Sequence, residues 1–210
     1  MNNKFDSIIF DLDGTLWDAN QTYLDAWNEV ITKESNQIKM TLDDMASVMG
    51  WEQKAAWNKL FPELKEEVWR PMANKIDLVQ VELARTKGGK LYPGVREGIE
   101  KLSRRYELYI VSNCPENLIP AFLEFSDMKD YFMDYEEHGR TKLSKALNIR
   151  KVIERNQLLN PVYVGDTESD RKNAALAEVP FIYLTYGFST ITEPPFQSFD
   201  TFESLTQFLS

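Results

Sequence analysis

The sequence holds one cysteine and one histidine in 210 residues. With Cys114 alone, no disulfide can form within the chain, which accords with a reducing compartment. With His138 alone, a hydroxyl nucleophile would have a single imidazole to serve as its base. That imidazole lies in Glu136-Glu137-His138-Gly139-Arg140, far in sequence from any serine that ends a strand. His138 therefore reads as a loop residue, and Cys114 as a small residue beside a site. No apolar run approaches the roughly 18 residues that a membrane span needs. Met1 to Asp6 is polar and carries no leader pattern, so the expectation is a soluble, cytoplasmic protein without a membrane partner. An excess of basic residues is missing too: 24 Lys and Arg stand against 33 Asp and Glu, for a net charge of −9. Such a chain is a poor binder of phosphate backbones, which disfavours nucleic acid as a partner. It can still accept a small anion, because a bound metal and a few local basic groups can invert the field inside a pocket. There is no internal repeat and no low-complexity tract.

What is present is material for a folded core. Hydrophobic residues make up 43% and charged residues 27%, which argues against a disordered chain. The length suits one domain with an insertion, or two small domains. Four short apolar runs read as buried strands: Ser7 to Phe10, Glu107 to Ser112, Pro161 to Gly165 and Val179 to Leu184. Each is almost continuously apolar, as in a parallel sheet covered on both faces. Between and after them lie helical patterns over Gly94 to Arg104, Leu143 to Arg155, Glu168 to Glu178 and Thr201 to Leu209. Strand alternating with helix predicts a doubly wound parallel α/β sheet, Rossmann-like in plan. The stretch from Asp18 to Lys87 differs, with helical spacing throughout and no convincing strand; Pro71 is expected to kink or restart its last helix. The organisation expected is an α/β core over 1–16 and 88–210, with an inserted α-helical cap over 17–87. Gly88-Gly89 is a plausible hinge between them.

In open α/β sheets ligands bind beyond the carboxyl ends of the strands. Three predicted strands end in polar residues: Asp11 and Asp13 after the first, Ser112 and Asn113 after the second, Asp166 and Asp170 after the third. In a parallel sheet all six converge on one edge. Asp11 and Asp13, two apart, repel each other unless a cation lies between them or one holds a proton. Asp166 and Asp170, four apart, can approach one hard cation, or can simply cap a helix. Ser112 and Asn113 offer a hydroxyl, an amide and backbone N–H groups to an anion. A phosphate site also needs a fixed cation, and either Lys142 or Lys145 can supply it; Lys145 stands nearer the periodic part of the helix.

The set Asp11-Leu12-Asp13-Gly14-Thr15, Val111-Ser112-Asn113, Lys145, and Val164-Gly165-Asp166-Thr167-Glu168-Ser169-Asp170 resembles the four motifs of the haloacid dehalogenase superfamily, over about Lys4 to Gly187. The helical insertion is similar to that superfamily's C1-type cap, and the whole resembles its phosphoglycolate phosphatase-like members. The resemblance implies a Mg2+-dependent phosphatase acting on a small phosphorylated metabolite. Asp11 would be the nucleophile and Asp13 the acid and base. Ser112, Asn113 and Lys145 would bind the phosphoryl oxygens. Asp11, the Asp13 backbone carbonyl, Asp166 and Asp170 would hold the metal. Dehalogenase members lack the second aspartate, which is present here as Asp13. The resemblance also leaves open a phosphomutase of the β-phosphoglucomutase type, although the cap histidine of those enzymes has no counterpart. A non-hydrolytic phospho-acceptor or binding protein is a further alternative. Trp51 and Lys54, between two cap helices, are candidates for contacts with the leaving group. Trp17 either lines the pocket or packs at the hinge.

Overall fold

The computed structural model describes residues 5–34 and 39–210. The first four residues of the stretch searched for a leader pattern lie outside them. Strand β1 (Ser7–Phe10) is buried along its whole length, because it runs through the middle of a sheet with neighbours on both sides. A tight turn at Asp11–Leu16 leads into β2 (Trp17–Asp18). Four helices follow: α1 (Asn20–Glu34), α2 (Leu42–Ala46), α3 (Gln53–Leu60) and α4 (Glu66–Thr86). The chain then returns through β3 (Lys90–Leu91), which pairs antiparallel with β2. A two-stranded ribbon thus ties together the two ends of the helical segment. The sequence reading found no strand from Asp18 on; β2 and β3 are each two residues long, too short to leave a pattern. Pro71 lies inside α4, and the helix continues through it rather than restarting.

The rest of the chain builds the sheet. In order come α5 (Val95–Leu102), β4 (Glu107–Ser112), α6 (Leu118–Ser126), β5 (Phe132–Glu137), α7 (His138–Thr141) and α8 (Lys145–Asn156). They are followed by β6 (Pro161–Gly165), α9 (Glu168–Leu176), β7 (Phe181–Leu184), β8 (Gln197–Phe199) and α10 (Phe202–Leu209). Six strands form one parallel sheet in the order β5-β4-β1-β6-β7-β8. The four predicted strands are its four interior members. The two that sequence reasoning missed, β5 and β8, are its edges. They are only partly buried, and so lack the continuous apolar run that marked the others.

The helical segment has an aromatic centre. Trp57 stacks between Trp27 (centroids 5.0 Å apart) and Trp69 (5.3 Å), and Phe61 tilts against it. All three indoles are buried, each contributing at least about 2–3 kcal/mol from area removed from water. Helix α4 also packs on α6 of the sheet's own layer, where Arg85 Nε donates to Glu124 at 2.7 Å. No helix among the described residues is long and apolar enough to cross a membrane.

Candidate active site

Register alone brings the strand ends together. Phe10 of β1 is level with Ile110 of β4 and Val164 of β6, so Asp11, Ser112 and Asp166 leave three adjacent strands at one edge. Gly14 has φ +85, and a Cβ there would overlap the Asp166 carboxylate. Glycine is what lets the first turn fold back against the third strand end.

Asp11, Asp166 and Asp170 each offer one carboxylate oxygen within 4.8 Å of the others, and all three are buried. Lys145, the first residue of α8, reaches in among them. Its Nζ donates to Asp11 Oδ1 at 2.9 Å and to Asp170 Oδ1 at 2.6 Å. Of the two candidate lysines, Lys145 is buried in this cluster, whereas Lys142 lines the neighbouring cavity. Asp166 accepts from Thr15 Oγ1 at 3.0 Å and from the Phe188 N–H at 2.7 Å. Asp170 is shared between two duties. Its Oδ2 closes a capping box with Thr167 at the start of α9, and its Oδ1 faces Lys145. Helix cap and cluster member are the same carboxylate.

Three carboxylates against one ammonium leave two negative charges in excess when all are ionised. Burial raises Asp11 to about 6 against the opposing pull of Lys145. It also raises Asp166 well above the ordinary carboxylate range, with repulsion from Asp170 and Asp11 adding to the effect. Asp11 Oδ2 is buried with no hydrogen-bond partner. An all-oxygen donor set and a surplus of two negative charges suit a hard divalent cation of the Mg2+ class.

Asp13 points elsewhere. Its Oδ1 accepts from the Tyr23 hydroxyl at 2.7 Å and from Trp17 Nε1 at 2.9 Å, and its side chain lines a cavity between the helical segment and the sheet edge. Burial raises its pKa to about 7, with the Tyr23 hydrogen bond pulling the other way. Trp17 packs edge-on against Phe122 while its Nε1 holds Asp13; it is not among the residues that line the cavity. Neither the Tyr23 contact nor the Asp13–Trp17 bond leaves a signal in the sequence, where Tyr23 is one more residue of a helical pattern.

The cavity's core wall carries Ser112, Asn113, His138 and Lys142. His138 opens α7 directly after β5, with Nδ1 2.9 Å from the Leu143 carbonyl; it is a helical residue beside the site, not a distant loop residue. Its place followed from β5, the strand the sequence concealed. Asn113 donates to the Gly50 carbonyl at 3.0 Å, tying the sheet edge to the helical segment. Trp51 lines the cavity mouth, with Lys59 over its ring at 4.7 Å. Lys54 does not reach the cavity: it pairs with Glu66 at 2.9 Å on the outer surface.

The sequence profile of the haloacid dehalogenase-like hydrolases matches residues 8–184, a span that holds all of these strand ends. The chain belongs to this family. Among haloacid dehalogenase-like relatives, it is 28% identical over 188 residues to the phosphoglycolate phosphatase of Rhodobacter capsulatus, covering 87% of this chain and 85% of that one. It is 25% identical to the phosphoglycolate phosphatase of Vibrio vulnificus (strain CMCP6), covering 96% and 93%. In fold it is similar to a haloacid dehalogenase-like hydrolase from Streptococcus pneumoniae (TM-score 0.80, 19% identity, 99% of each chain). It is likewise similar to CbbY from Rhodobacter sphaeroides, solved in complex with phosphate (TM-score 0.82, 16% identity, 96% of each chain).

Proposed function

We propose that this haloacid dehalogenase-like hydrolase is a Mg2+-dependent phosphatase that cleaves a small-molecule phosphate monoester through an aspartyl-phosphate on Asp11. The observation that carries the reading is the state of the two aspartates. Asp11 Oδ2 is buried and free of hydrogen bonds while Oδ1 is pinned by Lys145, so one oxygen is available to attack. Asp13, two residues on, is turned to the cavity with its pKa raised to about 7, so it can hold a proton near neutrality. The phosphoglycolate phosphatases among the relatives support the same reaction class.

In the first step Asp11 Oδ2 bonds to phosphorus as the bond to the leaving oxygen breaks, and the proton on Asp13 passes to that oxygen. In the second a water attacks the same phosphorus, the bond to Asp11 breaks, and Asp13 takes the water's proton. Both carboxylates return to their starting state. Lys145, Ser112 and Asn113 bind the phosphoryl oxygens and offset charge as it shifts. Asp11, the Asp13 carbonyl, Asp166 and Asp170 would hold Mg2+, which when bound supplies positive charge to the phosphoryl oxygens. The segment 17–87 acts as the cap that excludes water from the cavity. Hydrolysis is favoured over a mutase because the chain's one histidine lies outside this segment, leaving Asp13 as the proton carrier.

Asp11→Asn should abolish Mg2+-dependent hydrolysis of p-nitrophenyl phosphate, and the wild type quenched in mid-turnover should carry phosphate on Asp11 by mass spectrometry. Retained turnover in the variant would sink the nucleophile assignment.

A further inference from the structure

The cavity beyond Asp13 is where a leaving group would sit if the phosphatase reading holds, and its walls carry several polar side chains. Helix α4 turns Ala73, Ile76, Asp77 and Gln80 inward, at the spacing of one helical face. Asp77 lies in mid-helix, far from the N-terminal turn where an acid complements the macrodipole. Its Oδ2 accepts from Gln53 Nε2 at 2.9 Å, and among the described residues it forms no ion pair. Gln80 is only 7% exposed, yet its amide makes no hydrogen bond among the described residues and faces the same cavity. Two further buried polar atoms on the cavity-lining residues lack partners: the donor Trp57 Nε1 and the acceptor Asn113 Oδ1. The Gln80 amide is open to the cavity, so an entering group can pair with it.

The kind of occupant follows from the mixture. Asp77 asks for donors, Lys142 asks for acceptors, and Gln80 asks for both. A hydroxyl group both donates and accepts. A carboxylate only accepts, and would bring its charge into a space that already holds Asp13 and Asp77. Lys142 and His138 act on Asp77 at longer range, without pairing with it, against the burial that raises it to about 6. An aromatic base finds no open face on Trp57, because Trp27 and Trp69 cover both sides. We infer that the leaving group is a neutral polyhydroxylated chain or ring, so that the substrate is a sugar or polyol phosphate, with Asp77, Gln53 and Gln80 holding its hydroxyls. This rests on the phosphatase reading, but departs from the carboxylate-bearing substrate named for the relatives.

The test is a kcat/KM panel with Mg2+ on the full chain. It spans pentose, hexose and tetritol phosphates, phosphoglycolate, a nucleoside 5′-monophosphate and p-nitrophenyl phosphate, for wild type, Asp77→Asn and Gln80→Met. The best sugar or polyol phosphate should exceed phosphoglycolate in the wild type. In each variant the ratio of that ester to p-nitrophenyl phosphate should fall about ten- to a hundredfold, the usual effect of losing a hydrogen bond to a charged or buried group, with the loss mainly in KM. Asp77→Asn should at the same time gain on phosphoglycolate relative to the sugar ester. Preference of the wild type for phosphoglycolate or a nucleotide overturns the inference while leaving the phosphatase reading intact. So does a fall in p-nitrophenyl phosphate turnover that matches the fall for the sugar ester in both variants. No hydrolysis of any ester, the aryl phosphate included, overturns the phosphatase reading and this inference with it.

Discussion

Replacing Lys145 by methionine keeps the bulk of the side chain and removes one buried cation. Lys145 is 1% exposed, and its two partners, Asp11 and Asp170, are 1% and 0% exposed. Burial works against the lysine's charge, but the two carboxylates overcome it and raise its pKa. A lysine with a raised folded pKa contributes its full stabilisation at pH 7, which is lost only as pH climbs through and beyond the ordinary lysine range. The variant leaves three buried carboxylates facing one another with no counter-charge. Removing one partner of a buried pair costs about 3–5 kcal/mol. With an unfolding entropy of about 2 cal/mol/K per residue, that predicts a Tm lower by about 7–11 °C for a chain of this length. The measurement is thermal unfolding of wild type and Lys145→Met in chelator and in Mg2+, at pH 5 and pH 8. The deficit should be largest in chelator at pH 8. It should shrink at pH 5, where Asp11 takes up a proton in the folded state, and shrink in Mg2+, which replaces the missing charge. An unchanged Tm in chelator at pH 8 would refute the electrostatic account of the cluster.

Two further predictions concern groups that the tertiary structure added. Tyr23→Phe removes a hydrogen bond that lowers the pKa of Asp13, so the alkaline limb of the kcat/KM profile should move to higher pH. Turnover of alkyl phosphates should fall about tenfold or more, and that of p-nitrophenyl phosphate less, because a good leaving group needs less protonation; a profile that stays in place denies Tyr23 its hold on Asp13. Asp77 has a folded pKa near 6, raised by burial above the carboxylate norm, so the folded state keeps a proton that the unfolded chain loses and wild-type stability declines as pH rises from about 4 to 6. Asp77→Asn should therefore be more stable than wild type at pH 8 and indistinguishable from it below about pH 4 in urea titrations. An Asp77→Asn variant less stable at pH 8 contradicts the assignment of Asp77 as a buried group kept at a cost.

How much was legible depended on how local the signal was. Strands β1, β4, β6 and β7 announced themselves because interior parallel strands must be apolar on both faces, and β5 and β8 did not because edges need not be. Missing β5 hid the position of His138, which stands at the start of α7 by virtue of that strand alone. In the helical segment the apolar positions of α1, α2 and α3 are visible by spacing, but that periodicity does not mark Tyr23 as a partner of Asp13, and the charged stretch of α4 does not mark Asp77 as a buried group. Lys54, singled out for its place between two helices, was drawn outward by Glu66.

The sequence by itself determined the sheet and its carboxyl edge. Asp11, Ser112 and Asp166 each sit one or two residues past a buried run, and parallel register then leaves them no other place to go. Tertiary structure decided everything that depends on the direction of a side chain across an element boundary. It placed Lys145 among the carboxylates and Lys142 on the cavity wall, turned Asp13 from the carboxylate cluster toward Tyr23 and Trp17, and set Asp77 and Gln80 against the core wall. The physical reason is that strand ends follow from backbone pairing that any buried apolar run can make, whereas these contacts depend on which way individual side chains turn and form only when the helices dock.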